Sequence, residues 1–168
     1  WEQPHTALEG LIGDYFVFDS EGPEAMGAAE WMLPNWPTLR FVLSENPMTI
    51  EAPDWRWSPL PEAGFYGPVN RVLKHISHGG VTIGVSLTPA GVARLFDIDL
   101  SKYRDRMVPL QSLKPEDCDA LVSELRASDQ GPAAKSILDG FFLKHMKRPH
   151  RAEPQIVALN RLLLDENI

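Results

Sequence analysis

The sequence predicts an α+β chain, with strands first and helices after, and three observations carry that reading. Most of the fifteen prolines lie before residue 90, among short aromatic and β-branched runs that suit strands and tight connections and would break helices. From Thr88 onward, apolar residues recur at helical spacing instead. With 168 residues, 43% of them hydrophobic, the chain has enough apolar material for one sizeable core.

The candidate strands cover residues 14–20, 29–34, 38–44, 48–52, 54–59, 71–78 and 81–87. Gly79 and Gly80 predict a two-residue hairpin turn between the last two, because glycine enters positive φ without steric cost. At residue 88 the strand pattern stops and a helix begins. The Thr88 hydroxyl suits a cap, and Pro89, which has no N–H to leave unpaired, suits the first helical position. The short helix, 89–97, places Val92, Leu95 and Phe96 on one face, and residues 98–110 read as a loop.

Three more helices are expected. One opens at Pro115 with two acids, which suit the positive end of the helix dipole, and carries Leu121, Val122 and Leu125. The next, 133–148, carries Ile137, Leu138, Phe141, Phe142 and His145 and ends in basic residues. The last, 153–167, repeats the proline-at-start signal and aligns Ile156, Leu159, Leu162 and Leu163. Linkers near 129–132 and 148–153 separate them, so the chain divides into a β-rich part, 1–113, a helical part, 114–150, and a terminal segment, 151–168.

Twenty-three acids against sixteen bases give a formal charge of −7, so most of this surface repels a phosphate backbone. One cysteine, Cys118, allows neither an internal disulfide nor a cysteine zinc cage, and among acidic neighbours it reads as a structural thiol in a reducing compartment. There is no run of eighteen apolar residues and no secretory layout at the start, which makes the cytoplasm the expected location and a membrane an unexpected partner. A first residue other than methionine suggests a trimmed or partial chain.

Chemistry is sparse. His75 and His78 lie close in sequence, but side chains three apart on a strand point to opposite faces, so a shared metal needs a bulge or turn at Ser77. Two solvated histidines are the alternative, and no cofactor or metal is expected. His145 and His150 flank a basic helix end, where the dipole accounts for them. No nucleophile elbow, phosphate loop or zinc-protease pair is present, and no enzyme is expected. The aromatics Trp31, Trp36, Trp55, Trp57, Phe65 and Tyr66 all fall in the β-rich part, with Trp55 and Trp57 on one strand face. They either fill a core or line a pocket in which Arg40, Arg56 and Arg71 supply polar anchors. The stripe that includes Ile137, Phe141, Phe142 and His145 is wider than one side of a helix can hide, which fits a homodimer face as well as a helix sandwiched within its own monomer.

The stretch YGPVNRVLKHISHGGVTIGVSLTPAGVARLFDIDLSKYRDRMVPLQSL resembles the N-terminal regulatory domain of a subgroup of AraC-type transcriptional regulators. Gly67-Pro68, Arg71, Gly84-Val85, Leu87, Pro89, Gly91 and Val108-Pro109-Leu110 stand at that subgroup's matching places, in the same order and spacing. Upstream, WMLPNWPTLRFVLS is similar to its Leu-Pro-Asp-Gly segment, with Asn35 and Trp36 in place of Asp-Gly. Downstream, residues 152–168 resemble the first helix of the helix-turn-helix domain that follows in these regulators. The resemblance implies an antiparallel cupin-like β-barrel followed by C-terminal helices, sensing a small effector and dimerising. Contact with DNA would run only through a C-terminal helix-turn-helix domain beyond this chain. The residues expected to hold the effector are Trp31, Trp36, Arg40, Trp55, Trp57, Tyr66 and Arg71, and those expected to dimerise are Ile137, Phe141, Phe142 and His145. Two alternatives stay open: a small cupin-like metalloenzyme using His75 and His78, and a structural dimerisation module without a ligand.

Overall fold

A computed structural model describes residues 2–43, 48–53, 55–77, 79–96, 98–113, 117–128, 132–149 and 151–165, with side chains described up to Leu162. In chain order the strands are β1 (Ile12–Asp19), β2 (Ala29–Met32), β3 (Thr38–Val42), β4 (Thr49–Ala52), β5 (Trp55–Trp57), β6 (Ala63–Tyr66), β7 (Leu73–Ile76), β8 (Val81–Leu87) and β9 (Met107–Pro109). They form two antiparallel sheets, one in the order β1-β8-β3-β6-β9 and the other in the order β2-β7-β4-β5.

The centre of the first sheet determines the layering. Strand β3 is buried at all five positions, and β8 at all but Ser86, so both faces of this sheet are covered. Leu39 and Phe41 of β3 join Ile83, Val85 and Leu87 of β8 in the larger apolar core, together with residues of the helices. The alternate residues of β3, Thr38, Arg40 and Val42, lie on the opposite face, where Val42 joins a smaller core with Met32, Ile50 and Leu73 of the second sheet. Three layers result: helices, the five-stranded sheet, the four-stranded sheet.

Every expected strand is present; β8 has the expected bounds, β1 begins two residues earlier than expected, and the other ends differ by at most two residues. Two were not expected. Strand β6 is buried on both faces and contains Gly64, so it shows no alternation, and β9 is a three-residue edge strand closed by Pro109. The expected hairpin at Gly79-Gly80 is corrected. Both glycines do take positive φ, 92° and 95°, but β7 pairs with β2 and β4 while β8 pairs with β1 and β3. The turn therefore carries the chain from one sheet to the other. An apolar run such as VTIGVSL needs cover on both faces, and the central place in the larger sheet supplies it.

The helices are α1 (Pro89–Phe96), α2 (Cys118–Ala127), α3 (Pro132–His145) and α4 (Glu153–Asp165). Pro115, expected at the head of the second helix, lies outside the described residues. The joint at residue 88 forms as the residue types dictate. The Thr88 hydroxyl accepts from the Gly91 amide at 3.0 Å and donates to the Gly10 carbonyl at 2.8 Å, with Pro89 at the first helical position. Gly91 is required there, since a Cβ would lie 1.9 Å from the Leu11 carbonyl oxygen. Helices α2 and α3 cover the first sheet through Leu121, Leu125, Leu138 and Phe142, and Cys118 is fully buried beside them.

One polar junction ties this helix layer to the strands. Asp139 of α3 is buried, and its carboxylate accepts from the Tyr15 hydroxyl at 2.8 Å, from the His5 amide at 2.9 Å and from the Lys135 ammonium. Burial pushes the Asp139 pKa up, but the bonds from Lys135, His5 and Tyr15 together outweigh it and hold the carboxyl below its ordinary range. The Tyr15 hydroxyl is pushed well above its usual value by burial and by that neighbouring charge. Asp139→Ala strands two donors against an apolar wall and is expected to cost about 2–4 kcal/mol, lowering the thermal midpoint by roughly 5–15 °C, whereas Asp139→Asn, which keeps an acceptor, costs less. Thermal unfolding followed by circular dichroism measures the difference.

Candidate functional site

The space between the two sheets holds the polar groups that an ordinary core excludes. Arg40 stands at the middle of β3, only 6% exposed, with its guanidinium directed toward the second sheet. Its Nη2 lies 2.8 Å from the Met32 sulfur, a weak acceptor, and its Cζ lies 4.9 Å from the Tyr66 ring centre and 5.7 Å from that of Phe18. Its Nε is buried without a hydrogen-bond partner, as is the Thr38 hydroxyl two residues earlier. No described carboxylate lies within 4.0 Å of the guanidinium. Burial lowers the Arg40 pKa, while Tyr66 and Glu30 act to raise it, and a guanidinium keeps its proton at any physiological pH. A full positive charge therefore sits between the sheets with ring faces and a thioether for company.

Its neighbours respond to it. The Tyr66 hydroxyl is pushed up to about 12 by burial, with Arg40 opposing that shift. His75 of β7 is buried, and desolvation, then the Arg40 charge, pulls its pKa down to about 4. Its Nδ1 is 3.8 Å from a Glu30 carboxylate oxygen, which would suit an ion pair, but an imidazole with that pKa is neutral at pH 7 and the contact is not one. Beside Arg40 on the same sheet, a Cβ at Gly84 would overlap the Phe16 ring at 1.9 Å, so the glycine lets that ring lie over the strand.

A concavity lies where the outermost strands of the two sheets, β5 and β9, come near each other. It measures about 550 Å³ and includes Trp55, Trp57, Arg71 and Arg106. Trp55 donates its indole N–H to the Asp105 carbonyl at 3.1 Å across this seam.

The expected effector residues are thus divided. Arg40 and Tyr66 meet between the sheets, Trp55, Trp57 and Arg71 meet at the seam, and Trp31 and Trp36 point to solvent, 64% and 41% exposed. Trp31 is exposed because β2 is an edge strand with only Met32 turned inward. The four expected dimerisation residues are also divided. Phe142 is fully buried in the monomer core and stacks 6.4 Å from Tyr15, so it offers no surface to a second copy. Ile137 and Phe141 are partly covered by that core, and His145 lies 3.0 Å from the Asp117 carboxylate in a shallow groove between α2 and α3. His78 lies outside the described residues, and among those described no three His, Cys, Asp or Glu side chains converge.

Sequence reasoning did not single out Thr38, Met32, Arg104 or Arg106. The alternation in Thr-Leu-Arg-Phe-Val was a usable signal for Thr38, since it places Arg40 and Thr38 on the same face. No protein-family model matches the chain, and comparison with curated proteins gives no match.

The His75 shift has a stability consequence. Its folded pKa is below the unfolded value of about 6.5, so between pH 6.5 and 4 the unfolded chain binds a proton that the folded chain refuses. Stability conferred by the neutral imidazole is complete above pH 6.5 and declines as the pH falls toward 4, by on the order of 3 kcal/mol. His75→Gln is expected to flatten that part of a plot of thermal midpoint against pH.

Proposed function

We propose that the chain is the ligand-sensing and dimerisation part of an AraC-type transcriptional regulator, acting in the cytoplasm and without catalytic activity. In this reading the two facing sheets are a cupin-like barrel, and the effector lies between them. The observation that carries it is Arg40. A buried guanidinium with no carboxylate in contact, only the more distant Glu30 charge, costs several kcal/mol, and stability alone gives little reason to keep it. A binding site gives one, because an incoming acidic or strongly hydrogen-bonding ligand satisfies the charge at the moment of binding. The polar lining of Thr38 and Tyr66 beside Met32 matches the mix of apolar wall and few polar anchors that small-molecule sites use.

The order of motifs around Gly67-Pro68, Gly84-Val85 and Val108-Pro109-Leu110 supports the regulator assignment, as does a helix at the start of the terminal segment. The proposed output is a population shift in which ligand favours one packing of the helices that follow the barrel, altering the freedom of two DNA-binding halves in a homodimer. The covalent path is short: β8, which forms one wall of the site, runs through Thr88 directly into α1, and Arg94 of α1 holds Glu153 of α4 at 2.8 Å.

Two measurements test this. An effector at about 100 times its dissociation constant adds about 2.7 kcal/mol, or roughly 5–10 °C, to the thermal midpoint of the fragment. Arg40→Met is expected to raise the midpoint of the ligand-free fragment by a few degrees, since it removes a buried unpaired charge, and to abolish the ligand shift. An Arg40→Met fragment that is less stable than the parent assigns Arg40 a structural role and overturns the proposal.

A further inference from the structure

We infer that a separate ligand site lies in the seam between β5 and β9, and that it takes a planar aromatic molecule carrying one carboxylate or phosphate group. This site is independent of the one at Arg40, with different residues on different strands.

The seam is built as a rigid platform. The turn Tyr103–Arg106 is fixed from beneath: the Gly67 amide donates to the Arg106 carbonyl at 2.9 Å, the Asp105 amide to the Pro68 carbonyl at 2.9 Å, and the Asn70 amide to the Asp105 carboxylate at 2.8 Å. Gly67 permits this closeness, because a Cβ there would lie 1.9 Å from the Tyr103 carbonyl oxygen. Asp105 itself takes a left-handed conformation, φ 54°, which turns Arg104 and Arg106 outward on either side of it. The indole of Trp55 is anchored through its N–H to the Asp105 carbonyl, and Trp55 and Trp57 each pack in part against the inter-sheet core. The Trp55 indole and a pinned turn therefore join the two strand edges, with Trp57 beside them, and no described backbone pairing links β5 to β9.

The charge there is one-sided. Four arginines are among the residues that line the concavity, Arg56, Arg71, Arg104 and Arg106, against one lining carboxylate, that of Asp105, which already accepts from Asn70. Arg104 and Arg106 have no described carboxylate within 4.0 Å, and Arg56 faces Glu51 at 3.5 Å. In a chain of formal charge −7, this concentration of positive charge is local and opposed to the net balance. Guanidinium groups pair with carboxylate or phosphate through parallel hydrogen bonds, and indole faces stack on flat rings. An inorganic anion alone would leave the indoles unused, and a neutral ring would leave Arg104 and Arg106 without an acidic partner. A volume of about 550 Å³ suits one small aromatic molecule.

The test is a nuclear magnetic resonance titration of the 168-residue chain with 2-naphthoate, 2-naphthyl phosphate and neutral 2-naphthol, following the indole N–H signals of Trp55 and Trp57 and the amides of 104–108. Saturable shifts at these positions are expected with at least one of the two anions, the tighter one identifying the acidic group, and binding of the naphthol is expected to be about tenfold weaker or worse. Arg104→Gln with Arg106→Gln, both exposed, should leave the thermal midpoint unchanged and weaken the anion by about tenfold, while Arg40→Met should leave this titration as it was. Equal affinity for the naphthol, shifts located elsewhere, no saturable shift with either anion, or a short DNA duplex displacing the aryl anion at lower concentration would each overturn the assignment.

Discussion

The structure depends on one constraint, that strands β3 and β8 are too apolar to leave either face in water. Their helix-side residues, Leu39, Phe41, Ile83 and Val85, are at or below 1% exposure, each worth about 1.5–3 kcal/mol when removed from solvent. That face demands a helical cover, and α2 and α3 provide it. The other face demands a second sheet. From this requirement follow the crossing of the chain between sheets at Gly79-Gly80, the tight joint at Thr88, and the need for Asp139 to hold the helix layer in place by bonds rather than by apolar contact alone.

The two faces of β3 differ in kind. The helix side is uniformly apolar and closely filled. The inter-sheet side holds a cation, a thioether 2.8 Å from it and a buried hydroxyl, and burial there, with the Arg40 charge second, lowers the basicity of His75. Such an interior gives up stability that an apolar core would keep, which is the feature the proposed binding role accounts for. The helix side can meanwhile remain stiff.

Much of this was legible in the residues. Alternation and proline placement located seven strands, and the Thr88-Pro89 pair located a helix start to the residue. The strands that escaped notice lack the signals on which such reading rests: β6 is buried on both faces, and β9 is three residues at an edge. Pairing partners were less accessible. Two glycines at positive φ look the same whether the turn folds a strand back on its neighbour or passes it to another sheet, because the difference lies in residues 12–19 and 38–42, far away in sequence. The site was partly legible for the same reason. Arg40, Tyr66, Trp55 and Trp57 could be picked out by type, but a tryptophan on an exposed edge, such as Trp31, reads like one in a wall. Phe142 and Leu143 are neighbours in sequence, yet one is core and the other surface.

The pairing of β1 with β8 also bears on how the chain is made. Residues 12–19 leave the ribosome long before their partners at 81–87, and at about 5–20 residues per second the interval is several seconds or more. Throughout that time Tyr15, Phe16 and Phe18 belong to a strand with no neighbour on either edge. A nascent chain of this kind presents unpaired strand edges, open to mispairing, until the eighth strand arrives.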